Sequence, residues 1–147
     1  MIQFVKTRDV KSPNRGTAES AGLDFYVPND RDKIILRPGE DACIPSGIYL
    51  KIPTGKALIF SNKSGIALKK KLLVGACVVD SDYQGEVHLH LFNVGKEEVI
   101  IAPGDKIIQG VVYDVDLDQP EEVESLEKLY NEVSERGSGG FGSTNLK

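Results

Sequence analysis

Residues 87–91 alternate strictly between apolar and polar side chains, Val-His-Leu-His-Leu, the period of a strand with one face turned to a core. Comparable β-rich runs fill the rest of the first 115 residues: 3–7, 22–27, 33–36, 42–51, 56–61, 77–79, 87–93, 98–101 and 107–115. Turn signals separate them, among them Pro28-Asn29-Asp30, Arg37-Pro38-Gly39, Pro53-Thr54-Gly55, Tyr83-Gln84-Gly85 and Pro103-Gly104-Asp105. Many short strands with regular punctuation predict an all-β barrel or sandwich. The alternation places His88 and His90 on one sheet face, where a structural role is commoner than catalysis.

After Gln119 the period changes. Pro120 can open a helix, Val123, Leu126, Leu129, Tyr130 and Val133 recur at helical spacing, and Glu121, Glu122 and Glu124 suit the positive helix end. The spacing predicts a short amphipathic packing helix over residues 121–135. Beyond it lies a glycine-rich arm, residues 136–147, following a β-barrel domain over residues 1–135.

Composition narrows the class. A chain of 147 residues fits one domain, and 40% hydrophobic with 27% charged residues describes a soluble globular protein. The net charge of −4 gives no general pull on nucleic acid or anionic lipid, so a polyanionic ligand needs a few placed donors. No apolar run approaches the ~20 residues of a membrane span. The first residues read as a strand, without the apolar stretch of a signal peptide, which gives an intracellular, cytoplasmic expectation. Cys43 and Cys77 lack CxxC spacing and read as thiols of a reducing compartment, with pairing left open. Two histidines and these cysteines make a zinc site an unfavoured reading.

Three constellations can carry chemistry. In the tail, Gly137, Gly139 and Gly142 satisfy GxGxxG, but a dinucleotide fingerprint needs a strand before it and a helix after it. Its composition still suits phosphate: glycine N–H groups, Arg136, and the hydroxyls of Ser143 and Thr144 are donors, and Phe141 can lie on a flat base. Such a segment orders only on ligand, or stays a disordered tail. The second constellation, Val79-Asp80-Ser81-Asp82-Tyr83, reads as a hairpin with Asp80 held at a strand end, as a general base must be. Solvated turn carboxylates are the competing reading. The third, Lys63-Ser64-Gly65, is a phosphate cradle or a plain loop, and Lys69-Lys70-Lys71 a solvated face that can raise local potential.

The order of these signals resembles the trimeric dUTPase family, whose sequences carry five short motifs. They match Ala21-Gly22-Leu23-Asp24-Phe25-Tyr26, Asn62-Lys63-Ser64-Gly65-Ile66-Ala67, residues 75–86, Gly104-Asp105-Lys106-Ile107-Ile108-Gln109, and residues 136–144. The resemblance implies a jelly-roll-like β-barrel with one short helix near the C-terminus and a glycine-rich arm. It implies a homotrimer with sites shared between subunits, and hydrolysis of dUTP to dUMP and pyrophosphate with Mg²⁺. Asp80 matches the carboxylate that activates water at the α-phosphate, and Tyr83 the ring under the deoxyribose. Gly75, Val78, Val79 and His88 match the uracil-reading backbone. Lys63, Ser64, Gly65 and Gln109 match phosphate contacts; Arg136, Phe141, Gly142, Ser143 and Thr144 match the closing arm. Asp24 is at most an outer partner of the metal.

Four departures stand out. Asn62-Lys63 replaces the usual Pro-Arg, so a guanidinium fork becomes a point charge. Lys106 replaces an arginine, Cys77 a glycine, and Gly110 a bulkier apolar residue; the helix before the tail is also predicted longer than usual. Two other functions compete. A dCTP deaminase of the same superfamily, with or without dUTP hydrolysis, needs a carboxylate at the base. A nucleotide-binding regulator needs no Asp80.

Overall fold

The structure, a computed structural model, describes residues 1–140. Ten strands and two helices follow in chain order: β1 Gln3–Lys6, β2 Gly22–Tyr26, β3 Ile34–Leu36, β4 Asp41–Lys51, β5 Lys56–Asn62, α1 Ser64–Lys70, β6 Leu72–Val74, β7 Val78–Val79, β8 Glu86–Asn93, β9 Val99–Ile101, β10 Lys106–Asp114 and α2 Leu126–Leu129. One four-stranded sheet has the order β1-β4-β8-β6, a second the order β2-β10-β5-β7, and β3 pairs with β9 in a ribbon. Every strand pairing is antiparallel. The all-β reading holds. No described helix is long and apolar enough to cross a membrane.

The alternation in β8 does what its period requires: Val87, Leu89, Leu91 and Asn93 are buried, while His88 and Phe92 are exposed. The core that receives them includes Ile44, Ile48, Leu58 and Ile108, and Phe25 meets Phe60 edge-to-face at 4.9 Å. Buried Asn93 is satisfied in full, donating from Nδ2 to the Leu36 and Glu97 carbonyls at 2.9 and 2.8 Å and accepting from Gly95 N–H at 2.9 Å. Gly110 also finds its reason here. A Cβ on it would stand 2.7 Å from Leu58 Cδ2, so a fully buried leucine fills the volume of the bulkier residue usual at position 110.

Three expectations change. The segment after Lys63 is a helix of about two turns, α1, followed by the short strand β6; seven and three residues are too few for a period to register. The strands flanking Asp80 are not a hairpin ladder, because β7 pairs with β5 and β8 with β4 and β6. Helix is confined to residues 126–129 of the predicted 121–135. Ser125 caps it, its hydroxyl accepting from Lys128 N–H at 3.3 Å, but no α2 residue is buried. Without packing, a short helix does not outweigh its nucleation cost. Met1–Asp116 forms one compact unit, and a second begins at Leu117.

Candidate active site

Asp24 sits on β2 opposite Gln109 of β10, and only 4% of its surface is exposed. Both its oxygens are taken: Oδ1 by the Lys63 ammonium and Oδ2 by that of Lys106, the latter at 3.0 Å. Burial alone would raise the Asp24 pKa, but hydrogen bonds and charge from the two lysines outweigh it and hold the carboxyl below its usual value. The same contact raises Lys106. Lys63 immediately precedes α1, and Ser64 and Gly65 are the first residues of that helix. Lys63, Gly65, Ile66, Lys69, Lys70 and Lys106 line one cavity of about 320 Å³. Such a cavity offers cations on several sides and suits a phosphate chain.

Gln109 closes this end. Its amide donates to the Asn62 carbonyl at 2.8 Å, and a Cβ on Gly22 would press to 2.9 Å from its Cδ, so the glycine of the first motif makes room for it. Asn62 Oδ1 accepts from Val74 N–H at 2.8 Å and thereby ties β6 to the lysine cavity. The substituted asparagine thus has a definite job, visible in the sequence only as a departure.

The second half of the site lies where the chain passes between sheets. Gly75 N–H donates to the His90 carbonyl at 2.9 Å and Ala76 N–H to His90 Nδ1 at 2.8 Å, still on the β8 side. The next carbonyl, that of Cys77, accepts from Phe60 N–H on β5 at 2.7 Å. At the far end the Tyr83 hydroxyl donates to the Glu86 carbonyl at 2.9 Å. Between these two closures β7 and β8 share no ladder. Backbone groups alternate sides along a strand, so Val78, next to inward-turned Cys77 and Val79, presents its peptide to the gap. His88 does the same, two residues from His90, at a level where β6 has ended. The result is a slot between β7 and β8 edged by backbone donors and acceptors, groups that can pair with the edge of a flat heterocycle.

Side chains brace the slot. Among the two histidines, His88 turns its ring to the Glu86 carbonyl, at 2.9 Å, and contributes backbone only. His90 is the buttress: with Nδ1 accepting from Ala76, its Nε2 carries the proton and donates to Asp41 at 2.9 Å, while the ring lies 4.8 Å from Phe92. Sequence reasoning saw His90 only as a strand residue and missed Asp41, whose partner is 49 positions away. Asp80 is exposed just past β7, its carbonyl accepting from Tyr83 N–H at 3.2 Å, which holds the turn. Tyr83 folds over Gly85, where a Cβ would lie 2.5 Å from its Cζ, and remains 44% exposed. Cys43 and Cys77 are free thiols.

In the second unit Arg136 Nε donates to the Gly139 carbonyl at 2.8 Å across a local turn in which Gly137 adopts φ 52°. Phe141, Gly142, Ser143 and Thr144 lie outside the described residues.

The sequence model of the dUTPase family matches residues 8–145. The chain belongs to the dUTPase family. It is 37% identical over 144 residues to the mouse deoxyuridine 5'-triphosphate nucleotidohydrolase, covering 97% of this chain and 84% of that protein. The Caulobacter vibrioides enzyme of the same name is 39% identical over 142 residues, covering 94% and 88%. Among solved structures, a dUTPase of Staphylococcus bacteriophage 80alpha with dUpNHpp superposes with a TM-score of 0.81 at 22% identity, covering 98% of each chain. The dUTPase of S. aureus phage phi11, solved with a structural Mg(II) ion, gives 0.77 at 20% identity, covering 86% and 99%.

Proposed function

We propose that the protein hydrolyses dUTP to dUMP and pyrophosphate, supplying dUMP and keeping uracil out of DNA. The slot between β7 and β8 carries this reading, because it pairs a base edge with backbone and ends one residue from Asp80. Uracil enters at Val78 and His88, with Gly75 and Val79 framing the walls; a 5-methyl group would strike the closed end. The deoxyribose rests on the exposed face of Tyr83, where a 2′-hydroxyl has no room. Asp80 takes a proton from a water that attacks the α-phosphorus, and the pyrophosphate oxygen leaves with charge already neutralised. Lys63, Ser64, Gly65 and Gln109 hold the phosphates.

No three described His, Cys, Asp or Glu residues cluster as a metal site, and both Asp24 oxygens are occupied by lysines. The donor set fits an ion carried by the triphosphate oxygens and water. Mg²⁺ bound there supplies charge neutralisation on the leaving group.

The spacing of the two halves favours an assembly. Val79 pairs with Leu58, and Asn62 lies further along β5 in the direction away from Asp80. Five strand positions separate the level of Asp80 from Asn62, roughly 16 Å. A base acts within one water of its target, so Asp80 of one chain serves phosphates held by the lysines of a neighbour, in a homotrimer. The arm, residues 136–147, closes the site with Arg136, Phe141, Gly142, Ser143 and Thr144.

The test is pyrophosphate release with Mg²⁺ from dUTP, dTTP, dCTP and UTP. Preference for dUTP is expected; equal rates with all four, or ammonia from dCTP, would overturn the reading.

A further inference from the structure

Asp24, Lys63 and Lys106 come from β2, the residue before α1, and the first position of β10, yet they meet at one buried carboxylate. Each ammonium has three donors and gives one to Asp24, and both lysines line the cavity with Lys69 and Lys70. A lysine alone is a poor substitute for an arginine fork: it is a point charge on a stem with four rotors, and orienting it costs entropy at every binding event. Pinning two of them to the two oxygens of one carboxylate removes that freedom in advance. Two ammoniums and one carboxylate also sum to a single positive charge, the charge of one guanidinium.

We infer that Asp24, Lys63 and Lys106 form a composite fork that grips one phosphate group from two nitrogens, with Asp24 as the positioning residue that sets their separation. The phosphate belongs to dUTP on the function proposed above, and the inference rests on that reading for the identity of the ligand. Asp24 then serves the lysines and not a metal, each of its oxygens accepting from one ammonium. The two lysine departures are a single coupled change, each useful only while the other is held.

The experiment is a cycle of Lys63→Met, Lys106→Met and the double variant, with Asp24→Asn beside it, read as kcat and KM for dUTP at saturating Mg²⁺. Each lysine variant should lose at least ~10-fold in kcat/KM, as expected for a charge-assisted hydrogen bond. The double variant should lose about as much as the worse single, because a broken fork cannot break again. Asp24→Asn adds net positive charge, so simple attraction lowers KM and leaves kcat; a lost fork lowers kcat instead, with the Mg²⁺ half-saturation point unmoved.

Losses that multiply in the double variant, or an Asp24→Asn enzyme with normal kcat, would overturn the fork. A large shift in Mg²⁺ half-saturation would return Asp24 to the metal. If Asp24→Asn melts before assay, the two lysines, both partly exposed, decide alone. Inorganic triphosphate binding by calorimetry runs the same cycle without turnover. A wild-type protein inert on dUTP but coupled in triphosphate binding would therefore sink the proposed function and keep the fork.

Discussion

Gly75 and His90 exclude any larger residue between them: the Gly75 N–H donates to the His90 carbonyl at 2.9 Å, and a Cβ on Gly75 would lie 2.6 Å from His90 Cε1 and 2.7 Å from Phe92 Cε2. Because His90 also accepts from Ala76 and donates to Asp41, the ring cannot swing aside without breaking two hydrogen bonds. Gly75→Ala should therefore widen one end of the slot without unfolding the sheet. The expected result is at least ~10-fold lower kcat/KM for dUTP, since a misplaced positioning group costs rate steeply, together with a smaller preference for dUTP over dTTP. An alanine variant with unchanged selectivity would show that the slot is not where the base is read.

Asp80→Asn tests the chemical step. The side chain is exposed, so the change should leave melting temperature and dUTP binding near wild type. Turnover should fall at least ~10²-fold, the usual contribution of a general base. Single-turnover kinetics would separate the two; a variant that still turns over normally removes Asp80 from its role.

How far these parts could be read in advance depends on their range in the chain. Strand β8 was legible because Val87 to Leu91 alternate strictly, and the longer strands β4, β5 and β10 because turn residues bound them. Strand β6 and helix α1 were not, being shorter than any window in which a period repeats. The turn from Asp80 to Tyr83 was legible because its residues are adjacent in sequence, closed by Tyr83 N–H on the Asp80 carbonyl. The junction of Asp24 with Lys63 bridges 39 positions, and nothing near either residue announces it. The slot itself is a pairing that fails to form, visible only once both sheets are in place.

The lowered pKa of Asp24 fixes a pH window for stability. A carboxyl held below its unfolded value contributes stability that is fully present above that value, about pH 4, and is lost as pH falls through the folded pKa. The raised Lys106 works in the opposite sense: its share is present below the unfolded lysine value, about 10.4, and is lost as pH rises through the folded one. Asp24→Asn should thus lower the melting temperature across neutral pH, and the gap from wild type should narrow below about pH 4. A gap that stays constant into acid would mean the carboxylate charge contributes nothing.

Gly110 and Leu58 should behave as one packing unit. Gly110→Val places carbon 2.7 Å from a leucine with no exposed surface, and overpacking of this kind costs about 1–3 kcal/mol. Combining it with Leu58→Val frees part of the volume, so the double variant should be more stable than the sum of the singles. Denaturant melts give the comparison, and strict additivity would mean the backbone absorbs the valine by moving.

Deleting residues 136–147 addresses the arm. Among the described residues the buried core and every strand pairing lie before Asp116, so the truncated protein should keep its fold and its assembly state by light scattering. Turnover should drop sharply if Arg136 and the residues after it cover the nucleotide, because an open site lets water screen the lysine charges that neutralise the leaving pyrophosphate. Loss of rate should come with a steeper dependence on salt than the full chain shows, since screening then reaches the site. Normal turnover by the truncated chain would leave the lysine cavity and the slot sufficient by themselves and remove the lid from the mechanism. A truncated protein that dissociates would give the arm a structural role in place of closure.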